Sequence, residues 1–375
     1  MDAMARPGRE NTPVIDVHAH AVPHTLIERL RDERPRNERL RNERPGVAVR
    51  EDADGIHLDI GGRVTPPIGE GLTDPSRRLA AMDRMGVDVQ LVSPWMELTP
   101  DEIGLHDAAR FVRMVNDSLG DLVDHAPSRL RALALLDRRD PASAADELLR
   151  CLDTGRFQGA EIGLGGAGPA LHEIDWDPFW DAASDTGALV LLHPWRPASP
   201  AGVVFSRLTD IVDNPAQSTA AVGAMALAGT LHRFPDLRLC VVHGGGFLPY
   251  AAGRFDAIAA LEPTSDPEAA VDPGAAVSPA TVSGPGAAVS PAAAVPSEYL
   301  RRLYFDSLTH SPEALSWLID FAGADRVMLG SDYPFPTGCA DPVRAVTRAA
   351  AGERLSGEQV AAVLGTTAHR LLTGA

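Results

Sequence analysis

Lysine is missing from this chain: of 375 residues, all 34 basic ones are arginine. That excludes Schiff-base chemistry and pyridoxal attachment, which need a lysine amine, and with them a carboxylated lysine bridging two metals. Cysteine is scarce. Cys151, Cys240 and Cys339 are odd in number and far apart, which argues against structural disulfides and for a reducing, cytoplasmic setting. Cys240, inside an apolar run, reads as a packed small hydrophobe. No apolar run approaches the roughly 18 residues of a membrane span. The polar N-terminus, residues 1–12, lacks a signal peptide's apolar stretch and reads as disordered. Positive charge is also in deficit, with 34 basic against 51 acidic residues and a net charge of −17. Nucleic acid and anionic membranes are therefore poor partners.

What is present is a rhythm. Short apolar runs rich in β-branched residues alternate with longer helical patterns, as in βαβ units. Eight strands are expected near 13–18, 88–93, 131–136, 158–163, 188–193, 238–243, 302–306 and 326–331. Helices are expected at about 76–86, 104–126, 141–153, 177–186, 215–234, 247–262, 311–322, 341–351 and 356–372. Asp74-Pro75, Asp140-Pro141, Asp177-Pro178, Asn214-Pro215, Ser311-Pro312 and Asp341-Pro342 each offer a cap followed by proline. The pattern predicts an α/β fold, a single (β/α)8 TIM barrel over residues 13–375. A doubly wound open sheet is disfavoured because no Gly-x-Gly-x-x-Gly follows the first strand.

Two stretches interrupt the rhythm. Residues 24–74 form a long insertion after strand one, at the catalytic rim. Its charged run Arg29–Glu51 predicts a solvated, partly helical excursion, placed for a lid or substrate-contact role. Residues 262–296, rich in Ala, Pro, Gly, Ser and Val, cannot bury enough apolar surface to order and predict a disordered insertion between strands six and seven.

Five strand ends carry metal-ligating residues: Asp16 to His20, His193, His243, Asp306 and Asp332. A parallel barrel gathers such ends at its C-terminal rim. His18 and His20, at i and i+2, share a face with Asp16 and Val14, which aims the pair into the barrel mouth. With His193 and Asp332 they make a His3Asp set suited to one Zn²⁺, with Mn²⁺ or Fe²⁺ as alternatives. An open position on zinc would hold water acidified to a pKa of about 7. His243 is either a further ligand or the general acid/base. The second is preferred, since a metal with four protein ligands needs a neighbour to move protons. Glu161, within strand four, offers a carboxylate in place of the missing lysine to bridge a second metal. His24 and His310, just beyond rim strands, are weaker substrate contacts; the other histidines read as surface or packing residues.

Taken together these motifs resemble the amidohydrolase superfamily and, within it, the aminocarboxymuconate-semialdehyde decarboxylase branch. The more specific ones are His193-Pro194-Trp195, His243-Gly244-Gly245-Gly246-Phe247-Leu248-Pro249-Tyr250 with Arg254, and Gly330-Ser331-Asp332-Tyr333-Pro334-Phe335-Pro336. The resemblance implies one metal, usually zinc, on His18, His20, His193 and Asp332, with His243 transferring protons. It further implies that Trp195 lines the pocket and that Arg254 reaches a neighbouring subunit's site to bind a substrate carboxylate, hence a homodimer. Arg63, in the lengthened first loop, is the candidate for a further substrate arginine.

The function this predicts is metal-dependent decarboxylation of a small unsaturated or aromatic carboxylic acid. Arginine forks would clamp the carboxylate, and His243 and Asp332 would carry protons while the metal activates water or polarises a substrate oxygen. Hydrolysis of a lactone, ester or amide needs no other residues, and hydration would use the same site. A metal-binding barrel without activity is the non-enzymatic reading.

Overall fold

In the computed structural model, residues 12–32, 46–197, 207–260, 295–352 and 354–374 are described. Most of the Arg-rich run, the N-terminal segment and nearly all of the Ala/Pro tract lie outside them. Eight parallel strands form one sheet: β1 Ile15–Ala21, β2 Val89–Pro94, β3 Leu130–Leu135, β4 Phe157–Gly163, β5 Leu189–His193, β6 Arg238–Val241, β7 Tyr304–Asp306 and β8 Val327–Met328. Each pairs with the next in chain order. Backbone bonds from Val17 N to Leu329 O (2.9 Å) and from Asp332 N to His18 O (2.8 Å) bring the last strand back to the first. The sheet thus closes into a barrel ringed by helices.

Side-chain alternation sorts the apolar residues into two layers. Leu189 and Leu191 point inward with Ile15, Val17, Leu91, Leu133, Cys240, Val242 and Met328, and Ala368 and Leu371 of the last helix join this interior cluster. Cys240 is thus a packed hydrophobe. Alternate residues such as Val190, Leu192, Val92 and Ala160 face the helices. At β5 the same parity carries the inward face on to His193.

β1 departs from simple alternation. Asp16 pairs with Gln90 but Ala19 with Val92, so β1 holds one extra residue there. Such a bulge re-aims the side chains that follow it. Ile15 and Val17 join the interior cluster by plain alternation while Val14 packs in the outer one, and past the bulge His18 and His20 turn together toward the centre. The uninterrupted parity expected from Val14 through His20 is broken at the bulge.

Asp74, Asp140, Ser311 and Asp341 cap their helices through their side chains. Asp177 and Asn214 do not, because helical turns at Ile174–Trp176 and Thr209–Asp213 run straight into their helices. Both residues already sit inside the helical path, where no cap is needed.

The insertion after β1 is more ordered than its charge predicts. His24–Asp32 is a helix burying Leu26, Ile27 and Leu30. Val47–Asp52, Gly55–Ile60 and Arg63–Val64 form an antiparallel sheet whose Val49, Leu58 and Ile60 are buried. The flanks of the expected solvated excursion are thus packed structure, since their alternating apolar residues find a partner surface, while residues 33–45, its charged centre, lie outside the described residues.

Candidate metal centre

The centre is built from side chains whose hydrogen bonds fix which ring nitrogen faces inward. His18 Nδ1–H donates to Asp306 Oδ2 at 2.7 Å, His20 Nδ1–H to Pro94 O at 3.1 Å, and His193 Nδ1–H to Pro194 O at 2.7 Å. Each acceptor pins one nitrogen as donor, leaving the Nε2 lone pair free to bind a metal. The Nε2 atoms of His18 and His20 lie only 3.2 Å apart. Two lone pairs so close repel each other, yet two ligands about 2.05 Å from a tetrahedral metal are separated by about 3.3 Å. Asp332 Oδ1 stands 3.2 Å from His20 Nε2 and 3.6 Å from His18 Nε2. His193 Nε2 and Asp332 Oδ1 are buried without a hydrogen-bond partner. These unpartnered atoms, crowded against the Nε2 atoms of His18 and His20, fit a divalent cation.

His243 sits beside this set. Its Nε2 is 3.9 Å from Asp332 Oδ2, and its side chain is 22 % exposed. Donor atoms of His18, His193, His243 and Asp332 all fall within 4.8 Å of one another. The turn that carries His243 is tight: Gly244, Gly245 and Gly246 have φ of 63°, 82° and 61°. A Cβ on Gly245 would meet the Phe305 ring at 2.5 Å, so the backbone must approach the barrel wall as only glycine allows. His243 and Asp332 themselves have φ of 56°, conformations that side-chain-bearing residues adopt at a cost and that cluster at functional sites.

Electrostatics separate the imidazoles. Burial, reinforced by the neighbouring histidines, holds His193 well below the ordinary histidine range and keeps it neutral. Burial opposes charge on His243 too, but Asp332 and Asp306 outweigh it and raise its pKa. Asp332 is held well below the usual carboxylate range, because His20 and His243 outweigh its burial. Glu161 is different: burial pushes it up to about 7 despite His20 nearby.

A buried relay beneath the centre was not evident in the sequence. Arg78 Nη1 donates to Gln90 Oε1 (2.7 Å), Gln90 Nε2 to Asp16 Oδ2 (2.8 Å), and Ser331 Oγ to Asp16 Oδ2 (2.6 Å). It ties the ends of β1 and β2 to the segment that carries Asp332. Asp306, recognised as a strand-end carboxylate but given no task, orients His18. Its other oxygen accepts the Gly244 amide at 2.8 Å, tying His18 to the His243 turn.

His20, His193, His243 and Asp332 line a cavity of about 870 Å³, with Trp95 and Trp195 in its wall. Arg196 and His310 also line it, whereas His24 pairs with Glu28 at 3.2 Å. Arg63 lies close by, 5.5 Å from the Trp195 ring, with its donors engaged by Glu97, Glu102 and Thr99 O. Arg254 is exposed on the helix Leu248–Ala259, away from the cavity lining of its own chain. The structure thus gathers His18, His20, His193, His243, Asp332 and Trp195, places Arg63 behind Trp195, and leaves Arg254 outside.

A sequence profile described as amidohydrolase matches residues 15–373. The chain belongs to the amidohydrolase family. Among similar proteins, a 2-amino-3-carboxymuconate-6-semialdehyde decarboxylase of Dictyostelium discoideum is 29 % identical, over 74 % of this chain and 72 % of its own. Its namesake from Caenorhabditis elegans is 25 % identical, with 86 % of each chain covered. The same fold occurs in the apo IDCase of Metarhizium anisopliae (22 % identity, TM-score 0.72, 96 % of this chain and 97 % of that one). It occurs again in a dihydroxybenzoic acid decarboxylase of Polaromonas sp. JS666, crystallised with manganese and 2-nitroresorcinol (19 % identity, TM-score 0.65, 96 % and 97 % covered). No described helix of this amidohydrolase is long and apolar enough to cross a membrane.

Proposed function

We propose that this amidohydrolase is a metal-dependent decarboxylase of a small unsaturated or aromatic carboxylic acid. The observation that carries the reading is that three imidazoles with fixed Nε2 lone pairs stand together with Asp332 beside a cavity that His20, His193 and Asp332 line along with Trp95 and Trp195. The names of its relatives agree in reaction type. Three imidazoles and one carboxylate would hold Zn²⁺, with Mn²⁺ or Fe²⁺ as substitutes. When bound, the cation supplies Lewis acidity to a substrate oxygen or to water.

The protein's own residues do the rest. Flat tryptophan faces hold a planar substrate, and Arg196, 4.9 Å over the Trp195 ring, is placed to meet its carboxylate. Arg63 and Arg196 both donate to Glu102 Oε1 at 2.8 Å, so Arg63 contributes to substrate binding by holding Trp195 and, through Glu102, Arg196. The bond to the carboxylate carbon breaks with its electron pair left on the substrate framework, CO₂ departs, and one proton comes to the framework carbon that carried it. His243, with its pKa raised beside Asp332, is placed to deliver the proton.

Arg254 is read as a partner-subunit residue. On its helix and nearby, Tyr250, Ile258 and Trp317 are exposed apolar side chains, a face suited to a homodimer that carries Arg254 to the neighbour's cavity. Cytoplasmic location accords with three unpaired cysteines. The test is product analysis on metal-loaded protein with aromatic and muconate-type acids. CO₂ release supports decarboxylation; acid formed from lactones, esters or amides without carbon loss would replace it with hydrolysis.

A further inference from the structure

We propose that the end of the barrel opposite the cation centre carries a binding site for a small dianion, held by Arg238, Arg302 and Arg326. These arginines line a cavity of about 480 Å³ at the N-terminal ends of the strands: Arg238 opens β6, Arg302 precedes β7 and Arg326 precedes β8. Asp236 is the one carboxylate in that lining, and among the described residues none of the three arginines forms an ion pair. Elsewhere, partly buried arginines such as Arg139 and Arg150 meet carboxylates at 2.6 Å and 2.7 Å. The chain as a whole has a net charge of −17, so this corner is a local reversal of sign. Guanidiniums gathered around one concavity repel each other, and an anion seated among them relieves that repulsion. Arg238 and Arg326 are half-buried, which removes part of the water that would otherwise solvate their charge.

The cations are held in place rather than free to swing away. Arg238 Nη1 donates to Gly187 O at 3.0 Å and to Leu371 O at 2.7 Å. Arg302 Nη2 donates to Pro235 O, with its guanidinium 5.9 Å from the Tyr299 ring, and Arg326 lies 4.9 Å over the Tyr304 ring. Tyr299 is fixed in turn, its hydroxyl 2.9 Å from His232 Nδ1. Backbone carbonyls and ring faces leave most of the guanidinium N–H donors free for a ligand. Donors fixed before binding lose little freedom when an anion arrives, and planar guanidinium forks match the oxygens of a carboxylate or a phosphate. Leu231, Phe234 and Leu237 add an apolar wall. The chemistry fits a compact organic acid with two negative charges, a dicarboxylate or a phosphate monoester, and the cavity has the volume of a small-molecule site. His193 and His243 stand beyond the other ends of β5 and β6, in the lining of the substrate cavity, so a ligand here does not compete with substrate.

The experiment is calorimetric titration of the full-length, metal-loaded protein with succinate and with glycerol 3-phosphate, at ionic strength held constant with chloride. Wild type is compared with Arg302→Met, Arg326→Met and, as a control outside the cavity, Arg84→Met. The expected result is saturable binding of at least one probe, weakened about tenfold or more by each of the first two substitutions and unchanged in Arg84→Met. Binding of succinate alone assigns the site to dicarboxylates, and binding of glycerol 3-phosphate alone assigns it to phosphate esters. No saturable binding of either probe to the wild type overturns the proposal. Undiminished affinity in Arg302→Met and Arg326→Met overturns it as well, by placing the anion elsewhere, such as on the cation centre. An equal loss in Arg84→Met overturns it too, as a mere effect of overall charge. Arg302 is exposed, so Arg302→Met decides alone should Arg326→Met fail to fold.

Discussion

His18 Nδ1 and Asp306 Oδ2 are 2.7 Å apart, with both side chains wholly buried. The carboxylate fixes the ring's tautomer and orientation, and its negative charge makes Nε2 a better donor to a cation. Hydrogen bonds and electrostatic attraction from His18 outweigh burial and hold Asp306 below the usual carboxylate range, so it stays ionised at neutral pH. Asp306→Asn is expected to weaken cation affinity by about 10–100-fold. Competition with a fluorescent chelator measures this, and an unchanged affinity would remove Asp306 from the centre.

His243→Asn separates ligand from proton carrier. His18, His20, His193 and Asp332 remain to hold the cation, so the variant should keep its metal content. Turnover should fall by about 10²–10⁴-fold, the usual contribution of a positioned acid or base. Loss of metal along with turnover would make His243 a required ligand instead.

Arg196 and Arg63 flank the same indole but are employed differently. Arg196 lines the cavity with one arm on Glu102, while Arg63 gives its donors to Glu97, Glu102 and Thr99. Arg196→Met should raise KM about tenfold or more with a smaller change in kcat, as loss of a carboxylate contact does. Arg63→Met should act mainly through lowered stability and a loosened Trp195. A larger KM effect at Arg63 than at Arg196 would reverse these assignments.

Much of this centre was legible because its parts obey local rules. Leu189, Leu191 and His193 alternate inward along β5, and proline after Asp140, Ser311 and Asp341 marks helix starts whose caps form. Where the reading stopped, a long-range contact was responsible. Asp306 meets His18 across 288 residues of chain, and Ser331 meets Asp16 across 315; spacing within a motif carries no information about either. The bulge in β1 is invisible for a related reason, since it exists only relative to the register of β2. The sheet of the first insertion was obscured by its charge: Arg50 and Asp59 pair with each other across it, so residues that look solvated line its edge while Val49 and Leu58 fill its inner side.

Away from the centre, one carboxylate ties the helical ring to the barrel. Glu147 Oε1 accepts from Asn116 Nδ2 at 2.8 Å and from Arg150 Nη2 at 2.7 Å, while Asn116 also bonds the backbone of Leu135 at the end of β3. Burial would raise the Glu147 pKa, but Arg150 and Asn116 outweigh it and leave the value below the ordinary 4.5. A depressed folded-state pKa means that the contribution is complete above 4.5 and is lost as pH falls through the folded value. At pH 7, Glu147→Gln should therefore cost about 1–3 kcal/mol, the range for a hydrogen-bonded charged group. The gap to wild type should then close as acidification protonates the wild-type carboxyl into a neutral group much like glutamine. Urea unfolding of both proteins at pH 7, 5 and 3.5 follows that gap. A difference that stayed constant across the series would mean that Glu147 acts through its shape rather than its charge.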